Sequence, residues 1–343
     1  MRDRLDTFLE PDRLRELDAR PDMYGDGLVR QLEERVAGLL GKPDAVFFPS
    51  GTMAQQVALR CWAMRSGNNA VAMHPLTHLE LHERESYIVL SGLQPVWLTR
   101  EPRQPTVAEV RDADEPYGTL HLELPLRDAG FLLPTWDDLC AMAQAARERG
   151  AHVHWDGARI WESAIALGQD LPAVAALADS IYVSFYKTLG GLSGAAVAGP
   201  SDFVAQVRAW RHRYGGNMFQ QWPTALSAII GLDTILPRLP SYVEHARVVA
   251  QALSTLPGAR VNPDPPHTHQ FQLWMPGPAE ALIEASVLLA EHEKAWFTIG
   301  WQDKAPTGLA MAEITVAEPA LALSKEDIEA IAAAWFTRVQ TVS

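Results

Sequence analysis

The run Ile181-Tyr182-Val183-Ser184-Phe185-Tyr186-Lys187-Thr188-Leu189-Gly190-Gly191 most constrains what this chain can fold into. Apolar and aromatic residues with β-forming bias lead to one lysine. Glycines follow at once, and then a second apolar run, Ala195-Ala196-Val197-Ala198. The pattern predicts strand, lysine, tight turn, strand. A lysine that a strand delivers among residues unable to solvate it has its ammonium disfavoured, so its amine can act as a nucleophile. Upstream, the apolar stretch Gly150-Ala151-His152-Val153 runs into His154-Trp155-Asp156-Gly157-Ala158-Arg159. Asp156 and Lys187 are 31 residues apart, room for one helix between two strands. A lysine beside glycines is more often a solvated loop residue, and an Asp-Gly pair more often a turn. The inference rests on the two occurring together, each at a strand end.

At 343 residues the chain is long for one core, so a large domain and a smaller one are expected. The formal net charge of −13 speaks against a nucleic acid or an anionic membrane surface as partner, since both require a basic face. It leaves room for a small anionic ligand in a local basic pocket. Two cysteines, Cys61 and Cys140, make neither a disulfide framework nor a thiolate metal site. The first residues lack the apolar stretch of a signal peptide. No apolar run approaches the about 20 residues that span a bilayer, and a cytoplasmic location is expected.

Residues 1–22 are predicted to be an N-terminal arm with a short amphipathic pattern at Leu5, Phe8, Leu9, Leu14 and Leu17. Residues 23–235 read as a large α/β domain, and 236–343 as a small α+β domain. Helical spacing covers Leu28 to Leu40, and a short strand covers Ala45 to Phe48. Pro49-Ser50-Gly51-Thr52 then opens a helix. Free N–H groups at such a helix start form a phosphate cradle in outline, although Ser and Thr are also ordinary helix caps. Strands are predicted at 70–73, 87–90, 94–98, 121–124, 270–274, 295–299 and 312–316. The stretch with His74, His78, His82, Glu80, Glu83 and Glu85 has no clean metal-ligand pattern, and no metal is assigned. Alternation of strand and helix implies a mostly parallel central sheet covered on both faces. Ser50, His78, Glu123, Asp156 and Lys187 all fall at carboxyl ends of predicted strands, where such sheets bind ligands. An aspartate and a nucleophilic lysine there suit pyridoxal phosphate: the lysine holds its aldehyde and the aspartate keeps its ring nitrogen protonated.

Phe48-Pro49-Ser50-Gly51-Thr52-Met53, the strand into Asp156-Gly157-Ala158-Arg159 and the run Lys187-Thr188-Leu189-Gly190 resemble the threonine aldolase / aromatic amino acid β-eliminating lyase family. So do Tyr24-Gly25-Asp26 and Leu32-Glu33-Glu34-Arg35-Val36. The resemblance implies a fold-type-I pyridoxal-phosphate enzyme and covers about residues 23 to 235. It implies that Lys187 bonds the cofactor, that Asp156 pairs with its ring nitrogen, and that Ser50, Gly51 and Thr52 hold its phosphate. Arg159 would reach the cofactor's phenolic oxygen and the substrate carboxylate. His78, with Glu83 five residues on, would stack on the ring and take part in proton transfer. Glu123 joins the cofactor set, and Tyr24 the substrate set. A homo-oligomer, dimer or tetramer, with shared active sites is implied, its neighbour expected near the Arg-rich helix and Gly215-Gly216-Asn217.

The sequence departs from that pattern on the substrate side. Tyr186 precedes the lysine where the family commonly has Ser. Leu124-Pro125-Leu126-Arg127 replaces an Asn-rich loop. No arginine lies in Met311-Ala312-Glu313-Ile314-Thr315, where the family clamps the substrate carboxylate. Arg127 is the candidate to supply that charge. The expected reaction is aldol cleavage of a β-hydroxy-α-amino acid, L-threonine-like, to glycine and an aldehyde. The alternatives are β-elimination or another side-chain reaction on the same cofactor, and a non-catalytic relative.

Overall fold

The computed structural model describes residues 22–342, so the expected N-terminal arm lies outside the described residues apart from Asp22. The chain divides into two compact units. The first comprises residues 22–129 and 133–237, the second residues 130–132 and 238–342.

The first unit runs α1 (Gly27–Leu39), β1 (Asp44–Phe48), α2 (Gly51–Ser66), β2 (Ala70–Met73), α3 (His78–Leu81), α4 (Ser86–Ser91), β3 (Gln94–Trp97), α5 (Val107–Arg111) and β4 (Thr119–Glu123). It continues with α6 (Trp136–Glu148), β5 (His152–Gly157), α7 (Ile160–Ala166), α8 (Leu171–Ala176), β6 (Ser180–Ser184), β7 (Ala195–Gly199), α9 (Ser201–Arg213) and α10 (Trp222–Thr234). The sheet order is β1-β7-β6-β5-β4-β2-β3. Only β7 runs against the others, pairing antiparallel with β1 and β6. Every residue of β4, β6 and β7 is buried, so both faces of the sheet are covered. The fold is the fold-type-I α/β architecture with a mostly parallel sheet.

Register decides what meets at the strand ends. In the parallel pairs, Glu123 lies opposite Asp156 and Asp156 opposite Tyr182. Residues two apart share a face, so His121, His154 and Ser180 form the row beneath. Helix α2 covers that face. Trp62 Nε1 donates to Ser180 Oγ at 2.7 Å, and Gln55 Oε1 lies 2.9 Å from His154 Nε2. Strand β1 is held by a buried ion cluster: Glu33 accepts from Arg208 at 2.8 Å, from Arg211 at 3.3 Å and from the Phe47 N–H at 2.8 Å.

The second unit runs α11 (Leu239–Leu253), β8 (Arg260–Asn262), β9 (Gln270–Pro276), α12 (Ala279–Glu293), β10 (Gln302–Lys304), β11 (Leu309–Thr315) and α13 (Lys325–Val342). Its antiparallel sheet, ordered β10-β11-β9-β8, packs Phe271, Leu273, Ala310 and Ala312 against Leu282, Leu289 and Trp335.

Three expected elements differ. Residues 87–90 form part of helix α4, not a strand: Tyr87 is buried while Ile88, Val89 and Leu90 are exposed, which no sheet face would leave so. Left-handed Gly92 caps that helix. Residues 295–299 stay out of the sheet, because β11 already has β9 on one edge and β10 on the other. Phe297 packs on Trp335 instead, ring centres 4.7 Å apart. Strand β6 ends at Ser184, so Lys187 sits in the turn beyond the strand rather than on its last residue.

Gly231 of α10 backs that turn. A Cβ there would lie 2.3 Å from the Leu189 carbonyl oxygen. Helix propensity alone favours Ala over Gly by about 1 kcal/mol, whereas crowding a packed backbone costs about 1–3 kcal/mol. Gly231→Ala should therefore lower stability in thermal unfolding. A raised melting temperature would show that the turn yields.

Candidate active site

Lys187 is half-buried in the β6–β7 turn. Burial first, then the Arg159 guanidinium, hold its ammonium below the ordinary lysine value, against the raising pull of Asp156 and Glu123. Arg127 also lowers it. The turn is tied within itself: Phe185 N–H donates to the Gly194 carbonyl at 3.1 Å, and Gly191 N–H to the Phe185 carbonyl at 2.8 Å. The amine lies 5.9 Å from the centre of the Tyr186 ring.

Asp156 is buried at the end of β5, and its Oδ1 accepts the Ala158 N–H at 3.0 Å, which orients the carboxylate. Arg159, also buried, precedes α7 and acts on Lys187, Glu162 and Tyr186. Glu123 gathers two loops. Its Oε2 accepts from the His78 N–H at 2.7 Å and its Oε1 from the Arg127 N–H at 3.3 Å. Burial, then the Asp156 carboxylate beside it, push Glu123 up to about 7. His78 opens α3 with Nδ1 3.4 Å from Glu83 Oε1. Glu83 is buried against Gln56 and Ser86, so it directs the ring rather than solvent.

Ser50 caps α2, its hydroxyl accepting the Met53 N–H at 3.3 Å. The cap reading and the cradle reading therefore coexist: Ser50 satisfies one N–H and leaves its own O–H to donate. Gly51 is required there, since a Cβ would lie 2.2 Å from the Tyr182 hydroxyl. Burial and Asp156 drive that phenol well above its usual range, so it stays protonated. Thr52 is exposed at the same helix start.

Arg127 and Tyr24 fare differently. Arg127 Nη1 lies 3.5 Å from His82 Nε2 and 3.9 Å from Asp128, beside the His78 group. Tyr24 is not brought to the lysine within one chain. It packs edge-on against Phe219 at 5.4 Å and lines a separate cavity of about 570 Å³ with Asp44, Arg208 and Arg211. Sequence reading also passed over Glu162, His121, His154 and Gln55. Glu162 is three residues after Arg159, on the same helical face, and His121 and His154 stand two residues before Glu123 and Asp156. Those two periodicities are the signals that point to them. Among the described residues no group of three or more His, Cys, Asp or Glu is placed to hold a metal ion. No described helix is long and apolar enough to cross a membrane.

The residues present fit pyridoxal phosphate. A lysine of reduced proton affinity, an oriented carboxylate and the positive end of a 16-residue helix, its Gly51 too tight for a side chain, converge at the strand ends. The site fits the cofactor of a fold-type-I enzyme, and similarity to known proteins narrows the reaction class. The β-eliminating lyase family model matches residues 18–274, and the chain belongs to that family. The Escherichia coli K12 low specificity L-threonine aldolase is 30% identical over 262 residues, 73% of this chain and 78% of that one. Low-specificity L-threonine aldolase 1 of Arabidopsis thaliana is 27% identical, covering 76% of each chain. The crystal structure of a putative L-allo-threonine aldolase from Listeria monocytogenes superposes with a TM-score of 0.88 at 32% identity, covering 98% of this chain and 94% of that one.

Glu123 also sets a pH dependence. Its carboxyl ionises near 4.5 when unfolded and near 7 when folded, so the native state holds the extra proton between those values. The contribution of this one group to stability then falls as pH rises from about 4.5 to about 7, by on the order of 3 kcal/mol. In cofactor-free protein, Glu123→Gln should make that part of the stability–pH curve shallower, with Glu162 keeping its own contribution, measured by urea unfolding at pH 5 and pH 8. An unchanged slope would remove Glu123 as its source.

Proposed function

We propose that this enzyme cleaves the Cα–Cβ bond of L-threonine-like β-hydroxy-α-amino acids to glycine and an aldehyde, with pyridoxal phosphate as cofactor. The observation that carries this reading is the group Lys187, Asp156, Glu123 and Arg159, held together in a chain of the β-eliminating lyase family. Relatives named as L-threonine aldolases narrow the substrate class.

Bound at the strand ends, the cofactor supplies an electron sink for the pair released from the breaking bond. The chain's residues do the rest. Burial lowers the proton affinity of Lys187 and so favours the free amine, the form that attacks a carbonyl carbon. Asp156 holds a proton on the ring nitrogen. Ser50, Gly51 and Thr52, at the positive end of α2, hold the phosphate. Arg159 binds the substrate carboxylate, with Arg127 in support. His78 Nδ1 faces Glu83, which leaves Nε2 to accept the β-hydroxyl proton. The hydroxyl oxygen then closes to a carbonyl, the Cα–Cβ pair is left on the Cα side, and a proton reaching Cα, in balance with the one His78 took and releases, yields glycine.

The enzyme is proposed to work in the cytoplasm as a homo-oligomer. Exposed Met23, Tyr24, Met218 and Phe219 support an apolar contact face between copies, across which Tyr24 could reach a neighbour's site. A second reading, β-elimination, is favoured by the absence of an arginine at residues 311–315.

Incubation with L-threonine, L-allo-threonine and L-serine separates the readings. Glycine and acetaldehyde in equal amounts from the threonines are expected. A keto acid and ammonia without aldehyde would establish elimination instead. Lys187→Ala should abolish turnover, and His78→Asn should lower kcat/KM by about 10²–10⁴-fold. A His78 variant with wild-type kcat/KM would take the proton acceptor away from that ring.

A further inference from the structure

Glu162 belongs to none of the roles above, yet it is fully buried in the first turn of α7 and reaches the lysine turn. Thr188 Oγ1, on the residue next to Lys187, donates to Glu162 Oε1 at 2.7 Å. The same helix start grips the end of β6 twice more. Trp161 Nε1 donates to the Ser184 carbonyl at 3.2 Å, and Ser184 Oγ to the Ala158 carbonyl at 3.2 Å. Three ties therefore join α7 and the residues leading into it to the segment that carries Lys187, and the Glu162 tie is the one on the turn itself.

A carboxyl placed there for packing alone is costly, because burial of an ionised group needs compensating charge. Glu162 has such compensation in Arg159 and Lys187, both of which favour its anion, as does the Thr188 bond. Burial outweighs them and pushes the carboxyl up to about 7, so its charge changes in the neutral range. The charged groups that shift Lys187 most are Arg159, Asp156, Glu123 and Arg127, with the Tyr186 ring alongside; the Glu162 pair shows in the lowering pull of Lys187 on its carboxyl.

We propose that Glu162 is a positioning residue that fixes the Lys187 turn through the Thr188 hydroxyl and whose charge tunes the proton affinity of the Lys187 nitrogen. This rests on the reading of Lys187 as the cofactor-bonding lysine. The two parts separate by substitution. Glu162→Gln keeps an oxygen for Thr188 and removes the charge. Thr188→Val removes the hydrogen bond and, with it, one support of the Glu162 anion, and Thr188→Ser keeps both.

The test is a pH titration of the bound cofactor's absorbance in the holoenzyme, together with the pyridoxal phosphate Kd. An anion near the nitrogen favours its protonated form. Glu162→Gln should therefore lower the midpoint, by about threefold or more in proton affinity, with Kd close to wild type. Thr188→Val should weaken cofactor binding by roughly three- to tenfold, the range of one lost hydrogen bond, and move the midpoint in the same direction as Glu162→Gln but by less, because the lost bond also supported the Glu162 anion. Thr188→Ser should restore wild-type Kd. Wild-type midpoint and Kd in both Glu162→Gln and Thr188→Val would overturn the proposal, even if either variant melted at lower temperature. Should Glu162→Gln not fold, an unchanged Kd in Thr188→Val overturns it. A wild-type chain that binds no pyridoxal phosphate would overturn both this proposal and the functional reading beneath it.

Discussion

The register that sets Glu123 beside Asp156 and Asp156 beside Tyr182 is the constraint on which the site depends. It puts two carboxyls on one face, side by side and buried, at the ends of adjacent strands. Two ionised carboxylates so placed repel in a medium that screens poorly. The arrangement resolves this by unequal treatment. Asp156 accepts an N–H from Ala158 and Glu123 accepts those of His78 and Arg127, yet burial and the Asp156 charge still drive Glu123 toward its protonated form. Lys187 and Arg159 supply positive charge above them. A one-residue slip of β4 would turn Glu123 into the opposite face and dissolve the pair.

Beneath the carboxyls lies a polar layer that a purely apolar core would not contain. His154 is held between Ser180 Oγ at 2.7 Å and Gln55 Oε1 at 2.9 Å, with Trp62 donating to the same serine. Gln55 Oε1 only accepts, so the ring proton is assigned to Nε2, and the serine donates to Nδ1. Burial keeps His154 well below its usual proton affinity, and His121 below it too. A neutral layer under Asp156 adds no positive charge that would compete for its carboxylate. Hydrogen bonds tie it to α2, the helix whose start the phosphate role requires.

Much of the site was legible in the chain. Strand ends with Ser50, Glu123, Asp156 and Lys187 follow from apolar runs bounded by turn residues. Local chemistry repeats that pattern: Ser before a helix, Asp-Gly after a strand, glycines after the lysine. Elements whose identity depended on neighbours were not legible. Residues 87–90 and 295–299 have strand-forming side chains, but one curls into a helix that buries Tyr87 and the other finds both edges of β11 taken. Tyr24 matched a family segment, yet within one chain it turns to Phe219.

By itself the sequence determined the alternation of strands and helices, the residue types at the strand ends and hence the cofactor class, because these depend on periodicity and on single side chains. Tertiary structure alone decided which charges share a dielectric environment. The rise of Glu123 and Glu162 toward neutrality, the fall of Lys187 and the bond from Thr188 to Glu162 all arise from burial and from contacts between segments far apart in the chain. Desolvation is a property of the packed surroundings, and no stretch of sequence carries it.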